Sequence, residues 1–106
     1  GPEINYIAPY ISYTHTCYTH SQGCNAELSN QLINYTVWSN DGIINITSHT
    51  TTEANGFFKL SLEINKNWTI QMTATINNIL YRGTTNFSTF PRSANCITTG
   101  QLKPIS

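Results

Sequence analysis

Apolar and polar residues alternate along much of this chain with a period of two, as expected for strands buried on one face. In 57–64, Phe58, Leu60, Leu62 and Ile64 point one way, and Lys59, Ser61 and Glu63 the other. In 68–76, Trp68, Ile70, Met72, Ala74 and Ile76 alternate with Thr69, Gln71, Thr73 and Thr75. Residues 31–39 set Ile33, Tyr35 and Val37 against Asn34 and Thr36, and 43–48 set Ile44 and Ile46 against Asn45 and Thr47. Weaker strands are predicted at 79–86 and 95–99. Turn signals fall between the runs: Asn40-Asp41-Gly42, Asn55-Gly56, Asn65-Lys66-Asn67 and Asn77-Asn78. Residues 18–31 read as a loop with a short helical turn near Ala26-Glu27-Leu28. The pattern predicts one all-β domain over 1–106, an antiparallel β-sandwich of about seven strands.

The segment 4–16 breaks the alternation. Ile4, Tyr6, Ile7, Tyr10, Ile11 and Tyr13 place apolar groups on both faces, and Pro9 lies among them. A strand apolar on both faces must be covered on both. Two arrangements satisfy this: a central place in its own sandwich, or insertion beside the open edge of a neighbouring copy. The second would make Ile4, Tyr6, Ile7 and Ile11 partner contacts.

Composition narrows the setting. Charged residues make up 9% of the chain, while 16 Thr, 13 Asn and 9 Ser supply the polar surface. Five basic and five acidic residues cancel without clustering, so no basic stripe offers itself to nucleic acid. No apolar run approaches the roughly 20 residues of a membrane span. Gly1-Pro2 reads as the scar of a removed tag and is left out of the argument. An extracellular location, secreted or on the cell surface, fits this composition.

Three cysteines allow one disulfide and leave one thiol over. Cys17–Cys96 is the preferred pair, because it joins a strand end to the far end of the chain. It closes a loop of roughly 70–80 residues, worth up to about 4 kcal/mol in the chain-entropy model. Cys24 is the alternative partner. His15, Cys17, His20 and Cys24 also form the one set of metal-ligand residue types in a short span. Their alternating order is awkward for a single tetrahedron, and metal binding ranks third among the functional readings.

Four sequons occur, at Asn34, Asn45, Asn67 and Asn86. Composition alone would give about three, so their outward phase carries the expectation of glycosylation. The acids Glu3, Glu27, Asp41, Glu53 and Glu63 form no pair spaced for acid–base work, and no nucleophile elbow or phosphate loop is present. Neither catalytic residues nor a cofactor are expected. Trp38 shares the outward phase of Asn34 and is a candidate contact for a sugar or protein partner.

Residues 32–76 resemble a known pattern. Leu32 to Trp38, Asp41-Gly42, the run Thr50-Thr51-Thr52-Glu53-Ala54-Asn55-Gly56-Phe57-Phe58-Lys59-Leu60-Ser61-Leu62 and Trp68-Thr69-Ile70 look like the core of transthyretin-like domains. These include carboxypeptidase regulatory-like domains and surface-protein B repeats. Cys17 or Cys24, with Pro91-Arg92-Ser93-Ala94-Asn95-Cys96, is similar to the olive-pollen-allergen and extensin-like family. The resemblance implies a transthyretin-like or immunoglobulin-like sandwich serving as a non-enzymatic structural or adhesive module that binds a protein partner or itself. The alternative is a ligand-binding or receptor-binding domain that grips a sugar or protein through its loops and Trp38.

Overall fold

The computed structural model describes residues 1–17 and 24–105. It contains eight strands: β1 (Pro2–Ile7), β2 (Leu32–Ser39), β3 (Asn45–Thr51), β4 (Phe58–Glu63), β5 (Asn67–Ile76), β6 (Ile79–Ser88), β7 (Cys96–Ile97) and β8 (Lys103–Pro104). They form a three-stranded sheet of order β4-β1-β7 and a five-stranded sheet of order β3-β2-β5-β6-β8. The expected all-β sandwich is therefore present, with one short strand more than the pattern suggested. The Ala26-Glu27-Leu28 segment is not helical, and no helix occurs among the described residues.

The strands form where alternation and turn chemistry agree. Asn77 and Asn78 both take positive φ, at 52° and 65°, which is the backbone of a two-residue type I′ turn. That turn joins β5 to β6 and fixes their register from Ile76↔Ile79 to Asn67↔Ser88. At the opposite end, Asp41 organises the β2–β3 turn. Its Oδ1 accepts from the Ser39 hydroxyl at 2.6 Å and the Ile43 amide at 3.0 Å. Its Oδ2 accepts from Lys66 Nζ at 2.7 Å. Donation from Lys66, then from Ser39 and Ile43, holds the Asp41 carboxyl well below the usual carboxylate range.

The inner faces meet as the alternation requires. Phe58, Leu60 and Leu62 of β4 and Ile7 of β1 pack with Ile33 and Val37 of β2 and Trp68, Ile70, Met72 and Ala74 of β5. Tyr35 and Phe58 stack across the sheets with ring centroids 5.6 Å apart. Lys59 and Gln71 are exposed, as expected. Ile64 is not in the core: β4 ends at Glu63, and Ile64 is exposed beyond it.

The N-terminal segment takes the central place in its own sheet. β1 pairs antiparallel with β4, from Pro2↔Glu63 to Ile7↔Phe58, and parallel with β7 at Tyr6↔Cys96 and Ile7↔Ile97. β4 takes one edge along its whole length and β7 the other at Tyr6 and Ile7, so of the two arrangements the central place in its own sheet is the one observed. Ile7 is fully buried and cannot be a partner contact. Ile4 is exposed, while Tyr6 and Ile11 are half-buried against their own domain. The segment beyond Ile7 is not a continuous strand, though Tyr10 still bridges to Gln101.

Two outcomes test this account. Leu60→Ala removes a core side chain and should lower unfolding stability by about 2–5 kcal/mol in urea titration; a loss under about 1 kcal/mol would contradict the packing described. The Asp41 carboxyl has a lower pKa folded than unfolded, so its stabilisation is present above its unfolded value of about 3.9 and fades as pH falls through and below it. Asp41→Asn should therefore lower the melting temperature at pH 7, with the gap to wild type closing below about pH 4.

Candidate metal-binding cysteine site

The three cysteines come from two distant parts of the sequence, and the fold gathers them. Cys96 opens β7 and is placed by the parallel ladder to β1, in which the Tyr6 amide donates to Asn95 O at 2.8 Å. Cys17 and Cys24 lie on the long connection between β1 and β2. Cys17 is 6% exposed and Cys96 5%, and they share a buried cluster with Ala8 and Phe57. Cys24, Tyr6 and Ala26 are half-buried against that cluster.

Local geometry explains how the connection reaches this spot. Its first limb is stitched to the C-terminal segment: the Tyr10 amide donates to Gly100 O at 3.1 Å, and the Thr14 hydroxyl to Thr98 O at 2.9 Å. Its second limb is stitched to the turn before β4. The Ala26 amide donates to Asn55 O at 2.7 Å, and the Ser29 hydroxyl to Ala54 O at 2.7 Å. Gly56 takes φ +84°, and a Cβ there would stand 2.6 Å from Ala26 O. The glycine lets this turn lie directly against the second limb, with Phe57 buried among the cysteines.

Cys17 and Cys24 are joined by a disulfide, with Cα atoms 6.7 Å apart. The expected Cys17–Cys96 bridge is absent, and Cys24, the alternative, is the actual partner. Cys96 is in the thiol form, and burial pushes that thiol above its ordinary pKa. Beside it lies a cavity of about 340 Å³ lined by Thr16, Cys17, Phe87, Ser88, Cys96 and Ile97 among others.

The other predicted positions fall elsewhere. His15 is exposed, and His20 lies outside the described residues. Asn34, Asn45, Asn67 and Asn86 are all exposed, and Trp38 is half-buried on the outer face of β2. Among the described residues, no three His, Cys, Asp or Glu side chains are poised to hold a metal ion as the chain stands. The chemical reason is plain: a metal takes thiolate sulfur, and two of the three sulfurs here are bonded to each other.

The model of a protein family described as the periplasmic copper-binding protein CueP matches residues 4–101. The chain belongs to the CueP family. Among solved structures, the crystal structure of S.CueP is similar, with 25% identity and a TM-score of 0.84 over 96% of this chain. The match covers 64% of that chain, so the present sequence spans less than two thirds of its relative. No curated protein matches.

Membership in the CueP family corrects four expectations. The transthyretin-like and pollen-allergen resemblances do not hold; the shared strand-and-turn pattern belongs to sandwiches of many families. The structural or adhesive role, and the alternative of a sugar or protein receptor, give way to a family described by copper binding. The location is periplasmic by the same description, not extracellular or at the cell surface. The family description names binding and no catalysis. Metal binding, ranked last on sequence grounds, moves to the front.

Peptide mapping without reductant should yield a Cys17–Cys24 cross-link, and thiol titration should count one group per chain. That thiol should react slowly in the folded protein and fast in denaturant, since Cys96 is 5% exposed. A map linking Cys96 to either partner would refute the pairing.

Proposed function

We propose that the chain binds copper as Cu(I) through Cys17, Cys24 and Cys96, and that it does so once the Cys17–Cys24 disulfide is reduced. The observation that carries this reading is the convergence of all three cysteines in one cluster, although 79 positions (96 − 17) separate Cys17 from Cys96. Soft thiolates favour Cu(I) over the harder divalent cations, and the described residues lining the cavity beside Cys17 and Cys96 include no carboxylate to suit magnesium or calcium. The family description and the likeness to the crystal structure of S.CueP support copper as the metal.

Each residue has a defined part. A dithiol reductant gives two electrons and two protons to the Cys17–Cys24 disulfide and itself closes to a disulfide. The two thiols so released face Cys96, and each sulfur that ligates gives up its proton. The apolar wall of Ala8 and Phe57 keeps water from the sulfurs, which favours a soft, weakly hydrated ion and slows oxidation. The cavity beside Cys17 and Cys96 is the side from which an ion reaches them.

Competition against a colorimetric Cu(I) chelator tests the proposal. Reduced protein should take one Cu(I), and the oxidised form should bind at least about 100-fold more weakly, beyond the roughly 10–100-fold that loss of an outer-shell partner costs. Cys96→Ser should lower the affinity of the reduced form comparably, and the oxidised variant should still carry the Cys17–Cys24 bond. Equal affinity of the oxidised and reduced forms would defeat the reading.

A further inference from the structure

The two limbs of the β1–β2 connection are fastened to different parts of the domain, and one side chain ties them to each other. Glu27 Oε1 accepts from the Ile11 amide at 2.7 Å and from the Ser12 amide at 2.9 Å. Glu27 belongs to the second limb, three positions after Cys24; Ile11 and Ser12 belong to the first, leading to Cys17. Ile11 and Leu28, on either side of this neck, both pack against the main core. Thr52 secures the second limb just below, accepting from the Gln31 amide at 2.8 Å and donating to Leu28 O at 2.5 Å. Gln101 secures the first, its Nε2 donating to Ile11 O at 3.1 Å.

We infer that Glu27 is a positioning residue for the cysteine site, a second closure of the loop that takes over when the disulfide opens. This rests on the copper-binding reading above. The disulfide and the Glu27 clamp close the same stretch of chain, one as a covalent bond between Cys17 and Cys24, the other as two charge-assisted hydrogen bonds at the neck. Two closures of one loop reinforce each other, because each raises the effective concentration of the other's ends. Reduction removes the inner closure at the moment the sulfurs are needed. The neck then keeps Cys17 and Cys24 on the Cys96 side, so the ion meets a gathered set of ligands and not two loose thiols. Glu27 touches neither metal nor sulfur in this role; it acts through the backbone of Ile11 and Ser12.

Two measurements separate positioning from simple support of the fold. The first needs no metal: equilibration of the Cys17–Cys24 pair against dithiothreitol, which gives up two electrons and two protons and closes to its cyclic disulfide. Glu27→Ala should shift this equilibrium toward the dithiol by about tenfold, the scale of losing a hydrogen bond to a charged group. Glu27→Gln keeps an acceptor oxygen without the charge and should shift it by less, in the same direction. Glu63→Ala, on the exposed face of β4, should leave it unchanged. The second is Cu(I) competition with reduced protein, in which Glu27→Ala should weaken binding by about tenfold and Glu27→Gln by less. Wild-type values for Glu27→Ala in the dithiothreitol equilibrium would overturn the inference, even if its melting temperature fell. If Glu27→Ala does not fold, Glu27→Gln decides: an intermediate shift supports the clamp and wild-type behaviour refutes it. Failure of the reduced wild type to bind Cu(I) would instead defeat the proposed function, while the metal-free equilibrium would still judge Glu27.

Discussion

The placement of β1 between β4 and β7 is the constraint on which the rest of the structure depends. One edge of β1 carries the antiparallel ladder that aligns β4, and with it Phe58, Leu60 and Leu62, over the five-stranded sheet. The other edge carries the parallel ladder that seats Cys96 beside Tyr6. Parallel neighbours need a long crossover; here the crossover is nearly the whole domain, and it returns the end of the chain to its beginning. Without that return, the smaller sheet would lose its third strand and the site its third sulfur.

The architecture was legible because most of it is antiparallel and bounded by tight turns. β4 alternates cleanly, with one face on the core and the other in solvent, β5 does so apart from the buried Thr69 and half-buried Thr73, and the Asn77-Asn78 turn specifies its hairpin locally. β1 was ambiguous for a physical reason: a strand paired on both sides and buried on its inner face has no simple polar phase, whether its neighbours are its own or another chain's. β8 was invisible because two residues, one of them Pro104, carry no period. Asn5 would not have been assigned to the interior from its chemistry, yet it is fully buried opposite Leu60, with its amide nitrogen donating to Glu3 O and its Oδ1 without a partner among the described residues.

The site was harder to read than the fold. Its cysteines were grouped only in part, Cys17 with Cys96 as a disulfide and Cys17 with Cys24 among metal-ligand types, because the meeting of all three follows from the β1–β7 pairing and not from any motif. A long loop restrains the unfolded chain more, which favours Cys17–Cys96. In the folded chain, however, the two limbs of the β1–β2 connection bring Cys17 and Cys24 together. His15 and His20 drew attention to a metal, but His15 is exposed and His20 lies outside the described residues. Low charge and abundant Thr and Asn are compatible with either the periplasm or the exterior, so composition had no means of choosing between them.

The long crossover has a consequence for timing. Cys17 and Cys24 precede Cys96 in the chain, with 72 positions (96 − 24) between the second and third. Contacts of such sequence separation form late, after the loop-closure entropy of the intervening strands has been overcome. A partly folded chain holds at most two neighbouring sulfurs, and these can satisfy each other. The three-sulfur cluster is thus a property of the finished fold, out of reach while the β1–β7 ladder is unformed.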